Sequence, residues 1–167
     1  MFFDSVPKLE AKSNSSYSVL NLNLEPKQRE QEEGAVMESL QQIYEEFSNQ
    51  LFGMDITSMS LGEFEEIALG GFKEYLMKHM SLLICQADDC LKDNPELREN
   101  WIVRKTVSRL VVMRSGNLQY KRRYYRNKKT GKHCFLIDNL IAVEVHERVD
   151  QALKAEVCKY AAKISYQ

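Results

Sequence analysis

The chain has 167 residues, 44% of them hydrophobic and 28% charged, which suits one ordinary globular domain with an extended arm. The formal net charge of −1 is a near-cancellation: residues 1–97 carry seven Lys/Arg against eighteen Asp/Glu, residues 98–132 twelve against one, and residues 133–167 four against five. An acidic front and a concentrated basic middle point to an anionic partner for the middle. No run approaches the roughly 18 apolar residues of a membrane span, so no membrane partner is expected. The start, Met1-Phe2-Phe3-Asp4, lacks the basic and apolar stretches of a secretory signal, so the expected location is cytoplasmic.

Residues 1–31 read as a flexible N-terminal arm, because Ser13-Asn14-Ser15-Ser16 and Pro26 interrupt any period. Residues 32–97 form an acidic helical region. From Glu32 to Phe52 the residues Val36, Leu40, Ile43, Tyr44, Phe47 and Leu51 make one helical stripe, and Gly53 stops it. Ser60 and Glu63 form a capping box for a second helix, which runs to about Leu91. Its stripe includes Phe64, Ile67, Phe72, Tyr75, Leu76, His79, Leu82 and Leu83. Gly70-Gly71 marks either a kink or a close crossing. Asp93-Asn94-Pro95 ends the helix. Both stripes need a burial partner, so the helical front should fold onto the basic segment between residues 98 and 140.

Residues 98–140 change period. Val103 to Met113 is rich in Val, Thr and Leu, and Ser115-Gly116-Asn117 is a turn signal. Leu118, Tyr120, Arg122 and Tyr124 then alternate with Gln119, Lys121, Arg123 and Tyr125, as on the two faces of a strand. After a second turn at residues 127–132, Cys134 to Ile137 reads as a third short strand, closed by Asp138-Asn139. Residues 141–167 hold a final helix capped by Asp150, with Leu153, Val157, Tyr160, Ala161 and Ile164 on one side. The fold class is therefore α+β: two N-terminal helices, a basic antiparallel β-hairpin or meander, and a C-terminal helix.

The chemistry sits in the hairpin. Arg104, Lys105, Arg109, Arg114, Lys121, Arg122, Arg123, Arg126, Lys128, Lys129 and Lys132 are interleaved with Tyr120, Tyr124 and Tyr125. Arginine offers planar multi-donor contacts to phosphate and lysine a point charge, while tyrosine can pack on sugars or unpaired bases. These eleven cations with Tyr124 are the candidate DNA-binding set. The competing reading pairs the cations with the acidic helices of the same chain. There is no Gly-rich phosphate loop, no HExxH and no GxSxG. His133, Cys134 and Cys158 lack metal-ligand spacing, and Asp138 reads as a turn residue. No catalytic residue, metal or cofactor is expected.

The stretch from Thr106 to Tyr166 resembles the front part of ISLre-type insertion-sequence transposases, also grouped as an uncharacterised, transposase-like family. The residues that carry it are Gly116, Leu118, Tyr120 and Arg122-Arg123-Tyr124-Tyr125, then Lys129-Thr130-Gly131-Lys132. Phe135-Leu136-Ile137-Asp138, Glu144 with His146-Glu147-Arg148-Val149, and Ser165-Tyr166 come next in the same order. The family usually has a glycine shortly after the Leu-Asp pair, where this chain has Ile141-Ala142. In the family, Ser-Tyr opens the next part of a helix-turn-helix-like segment, and a long domain with an acidic metal-binding triad lies beyond it. The resemblance implies a DNA-binding or assembly fragment of a transposase, truncated before its catalytic domain and inactive alone. Its implied partners are DNA phosphates at transposon ends, and full-length transposase or a second copy. The rival readings are a regulatory binding protein and a structural interaction module.

Overall fold

A computed structural model describes residues 26–165. Most of the expected arm lies outside the described residues, as does Tyr166. Helix α1 (Pro26–Phe52) starts earlier than the Glu32 expected. Pro26 is no interruption: in the first helical turn its missing N–H has no intrahelical partner to lose, and its fixed φ suits a helix.

Helix α2 (Leu61–Asp93) carries the expected capping box. The Glu63 N–H donates to Ser60 Oγ at 3.3 Å, and the Ser60 N–H donates to the Glu63 carboxylate at 2.8 Å. Gly70-Gly71 proves to be a crossing point within a continuous helix. A Cβ on Gly71 would come 3.1 Å from Gln50 Oε1 and 3.5 Å from the Phe47 ring. Around it Phe47 packs on Tyr75 and Phe72, with centroids at 5.4 and 6.1 Å, and Lys78 reaches Glu46 at 3.1 Å. This helical pair is only partly covered: Tyr44 stays 57% and Phe72 47% exposed. His79 stays on the stripe, tilted against Tyr75 at 5.7 Å. Asn94 ends α2 and caps an unanticipated short helix, α3 (Pro95–Asn100), by accepting from the Leu97 N–H at 3.2 Å.

Strands β1 (Trp101–Met113), β2 (Gly116–Asn127) and β3 (His133–Cys134) form an antiparallel sheet in that order. Met113 pairs with Gly116 across the Arg114-Ser115 turn, and Gly116 has φ +142°, which only glycine adopts freely. A bulge interrupts the register between Val103 and Lys105. The second half of α2 runs along β2, where Ser81 Oγ donates to the Gln119 carbonyl at 2.7 Å. This covers backbone that would otherwise be an open sheet edge. The front thus reaches the sheet through α2, while α1 packs on α2.

The third strand ends at Cys134, not Ile137. The chain turns instead into helix α4 (Leu136–Leu140), in which the consecutive residues Ile137 and Asp138 are both buried. A strand would send them to opposite faces. So short an apolar run does not distinguish strand from helix by period. The core is Ala87, Val111, Leu118, Tyr120 and Ile137, formed where α2, α4 and the hairpin meet.

Helix α4 closes by donation from the Val143 N–H to the Asp138 carbonyl at 2.8 Å, with Ala142 at φ +55°. This is the left-handed helix end that glycine favours, at the place where the resembled family carries glycine. Ala142→Gly is expected to raise stability by about 0.5–1 kcal/mol, strain relief exceeding the added freedom of the unfolded chain. An unchanged or lower urea midpoint would contradict this.

Residues beyond α4 return to β1. The Val112 N–H donates to the Arg148 carbonyl at 2.8 Å, and the Asp150 N–H to the Val112 carbonyl at 2.9 Å. Asp150 then caps helix α5 (Gln151–Ser165), accepting from the Ala152 N–H at 2.9 Å. Lys154 Nζ meets Glu147 at 2.8 Å, and with the Glu144 N–H it holds the Glu147 carboxyl below its ordinary range. The α5 stripe is not buried as its period suggested: Val157 is 57%, Tyr160 58% and Ile164 74% exposed. Among the described residues no helix is long and apolar enough to cross a membrane. The class is α+β.

Candidate nucleic-acid interface

The twelve candidate residues divide into an inward and an outward set. Pairing puts Leu118, Tyr120, Arg122 and Tyr124 on one sheet face with Val111, Arg109, Val107 and Lys105 opposite them. The first of these side chains build the core, so the arginines that share their face are drawn inward with them. Arg109 is 7% exposed. It donates to Asp138 at 2.6 Å and to the carbonyls of Glu144 and Glu147 at 2.7 Å each. Arg122 also pairs with Asp138, and its guanidinium lies 3.6 Å from the Phe135 ring centroid. The Tyr120 hydroxyl donates to the other Asp138 oxygen at 3.0 Å.

Asp138 is therefore a buried counterion, not the turn residue expected. Two guanidiniums share its one carboxylate. Desolvation first, and then the neighbouring Arg109 charge, lowers the Arg122 pKa. Burial raises that of Tyr120.

Arg123 lies on the opposite face and meets the end of α2, reaching Asp88 at 2.9 Å and Asp89 at 2.5 Å. Desolvation works against its charge, but the hydrogen bond to Asp89 and the two carboxylates outweigh it, and its pKa is raised. The Asp88 carboxyl is raised too, because burial exceeds the help from Arg123. The directions are compatible, since Asp89 supplies much of what holds Arg123 charged. For Arg109, Arg122 and Arg123 the intramolecular pairing is what the structure holds.

The outward set gathers mainly at the sheet end remote from the hairpin turn. Arg104 sits at the bulge, Lys105 stands opposite Tyr124, and Arg126 stands opposite Ile102 and His133. Lys128, Lys129 and Lys132 ride on the adjoining turn. There Asn127 Oδ1 accepts the N–H groups of Lys129 and Thr130 at 2.9 Å each, and Gly131 supplies φ +68°. All six are exposed. Lys128 Nζ donates to the Arg98 carbonyl at 2.7 Å, a neutral acceptor, and meets no carboxylate among the described residues. Lys121 is exposed at mid-strand, and Arg114 meets Glu156 at 3.2 Å near the hairpin turn.

Tyr124 joins the outward set as part of an aromatic group. It stacks on His133 with centroids 5.1 Å apart and planes at 10°, and it meets Phe135 at 4.8 Å. The charge pattern drew attention to neither His133 nor Phe135. Nor did it find Asp88, Asp89 and Asp138. One signal was available: Arg122 comes after Leu118 and Tyr120 at a spacing of two, which puts a cation on the apolar face.

Among the described residues no group of three or more His, Cys, Asp or Glu is placed to hold a metal ion. Burial pushes the Cys134 thiol up to about 11, and Cys158 is exposed.

A family model described as an uncharacterised protein family, UPF0236, matches residues 56–167. Two curated relatives, UPF0236 protein TTE2489 and UPF0236 protein TTE0402, come from Caldanaerobacter subterraneus subsp. tengcongensis. Each is 25% identical over 85 residues, which is 51% of this chain and 18% and 17% of the respective relatives. The chain thus aligns with less than a fifth of the length of the curated relatives it matches. No solved structure matches.

Proposed function

The chain belongs to the uncharacterised protein family UPF0236, and from that premise we propose that it is the N-terminal DNA-binding and assembly segment of an insertion-sequence transposase. In this reading it acts in the cytoplasm, holds DNA by its phosphates and performs no strand transfer alone. The chemistry belongs to the greater length of such proteins. The observation that carries the reading is the exposed group of Arg104, Lys105, Arg126, Lys128, Lys129 and Lys132 at one end of the sheet. Cations that have no carboxylate partner among the described residues, carried on a turn and strand pair, suit a polyanion.

Assembly with the rest of a transposase, or with a second copy, is supported by apolar surface outside the core. Met37, Ile67 and Leu69 on the helical pair and Val157 and Ile164 on α5 are all more than 40% exposed.

A salt titration of DNA binding tests the phosphate reading. If about four phosphates are neutralised, log K against log salt should slope near −3 to −4. Replacing Lys105, Arg126, Lys128, Lys129 and Lys132 together with Gln should flatten the slope and weaken every sequence alike. Arg122 and Arg123 are left intact, because their loss would disturb folding instead. A slope near zero in the parent chain would overturn the reading.

A further inference from the structure

The open end of the sheet carries more than charge. The Tyr124 ring touches both His133, stacked at 5.1 Å, and Phe135, tilted at 4.8 Å, and His133 is the exposed member of the group. Lys105 Nζ stands 5.5 Å from the Tyr124 ring centroid, and Arg126 is the cross-strand neighbour of His133. Lys132 directly precedes His133 in the chain. An aromatic end-face ringed by exposed cations matches the two needs of an unpaired nucleotide: a ring to stack on and a charge for its phosphate.

We propose that His133, backed by Tyr124 and Phe135, is a stacking platform for an unpaired base, so that this end of the sheet binds single-stranded DNA in preference to duplex. The inference rests on the phosphate-binding reading above and adds the strand state of the ligand. In a duplex both faces of an internal base are covered by its neighbours, so His133 can engage only a base that has left the stack. The alternative is the hairpin lying as a ribbon in a major groove. It is disfavoured because α4 covers the same sheet face, where Asp138 holds Arg109, Tyr120 and Arg122.

The platform is assembled by contacts within the fold itself. Its base is fixed by the Arg122 guanidinium on the Phe135 ring and by the pairing of Tyr125 with Cys134. A bound base would therefore lengthen an existing stack with little loss of side-chain freedom, which favours binding.

The test uses the full chain with a fluorescently labelled thymidine oligonucleotide and a blunt duplex of equal length, read by anisotropy. The single strand should bind more tightly. His133→Ala should weaken single-strand binding roughly 5- to 150-fold and leave duplex binding unchanged. His133→Trp, with a larger stacking surface, should tighten it. His133 is exposed, so both variants should keep the parent melting temperature. Salt-dependent binding of both ligands, with no preference and no response to His133, would overturn the platform and leave the phosphate reading standing. Absence of salt-dependent binding to either ligand would overturn both.

Discussion

Asp138→Ala is expected to destabilise the fold by roughly 3–5 kcal/mol, the usual cost of removing one partner from a buried ion pair. The carboxylate is 5% exposed and uses both oxygens, taking Tyr120 on one and the two arginines on the other. Without it Arg109, itself 7% exposed, becomes a buried cation with only carbonyl partners. Arg122 has more freedom, its side chain being 15% exposed along the Phe135 ring. Against a typical total stability of about 5–15 kcal/mol, such a loss is a large fraction.

The expected urea midpoint shift is correspondingly large, while Lys121→Gln on the exposed surface should stay within about 0.5 kcal/mol of the parent. Replacing Asp138 and Arg109 together by Leu and Met should recover part of the loss, since the most buried cation leaves with its counterion while Arg122 still loses its carboxylate partner. A loss below about 1 kcal/mol in Asp138→Ala would show that water reaches the arginines and that the cluster does not hold the hairpin to α4.

The same cluster separates what local sequence specifies from what only the tertiary fold decides. The capping box at Ser60 and Glu63, the hairpin, and the Leu118–Tyr120 face were legible because each depends on neighbours within a few residues. The destinations of Arg109, Arg122 and Arg123 were not. Their carboxylates lie 29, 16 and 35 or 34 positions away in the chain. A count of charge in a window treats a cation at a core-facing position as equal to one on a turn. Alternation carries the missing information, because Arg122 shares its face with two core residues. It does not name the partner, and Asp138 resembles a turn residue because the short apolar run of α4 suits a strand end as well as a helix.

A second limit concerns amphipathic stripes. Periodicity identified α1, α2 and α5 as helices, yet Phe72, Tyr160 and Ile164 remain substantially exposed. A stripe states that one face prefers to be covered and is silent about whether the cover belongs to the same fold. The aromatic stack at the sheet end was illegible for a related reason. Tyr124 and His133 meet only after the residue 127–132 turn brings β3 beside β2.

Stability should also be unequal between the two packed regions. Ile137→Ala is expected to cost roughly 2–5 kcal/mol, because Ile137 is 0% exposed and removing its outer carbons leaves a cavity against Leu118, Tyr120, Val111 and Ala87. Phe47→Ala removes a larger side chain but should cost less. Full burial would put its cost at about 3–5 kcal/mol. Phe47 is only half-buried, among Tyr75 and a Phe72 that is itself 47% exposed, so less contact is lost. The consequence should be local as well as smaller. Hydrogen exchange after Phe47→Ala should accelerate at α1 amides and leave β1 and β2 amides protected. Ile137→Ala should accelerate both together. Equal acceleration of the β1 and β2 amides in the two variants would show instead that α1 belongs to the same cooperative unit as the sheet, and that its aromatic contacts with α2 support the hairpin as much as α4 does.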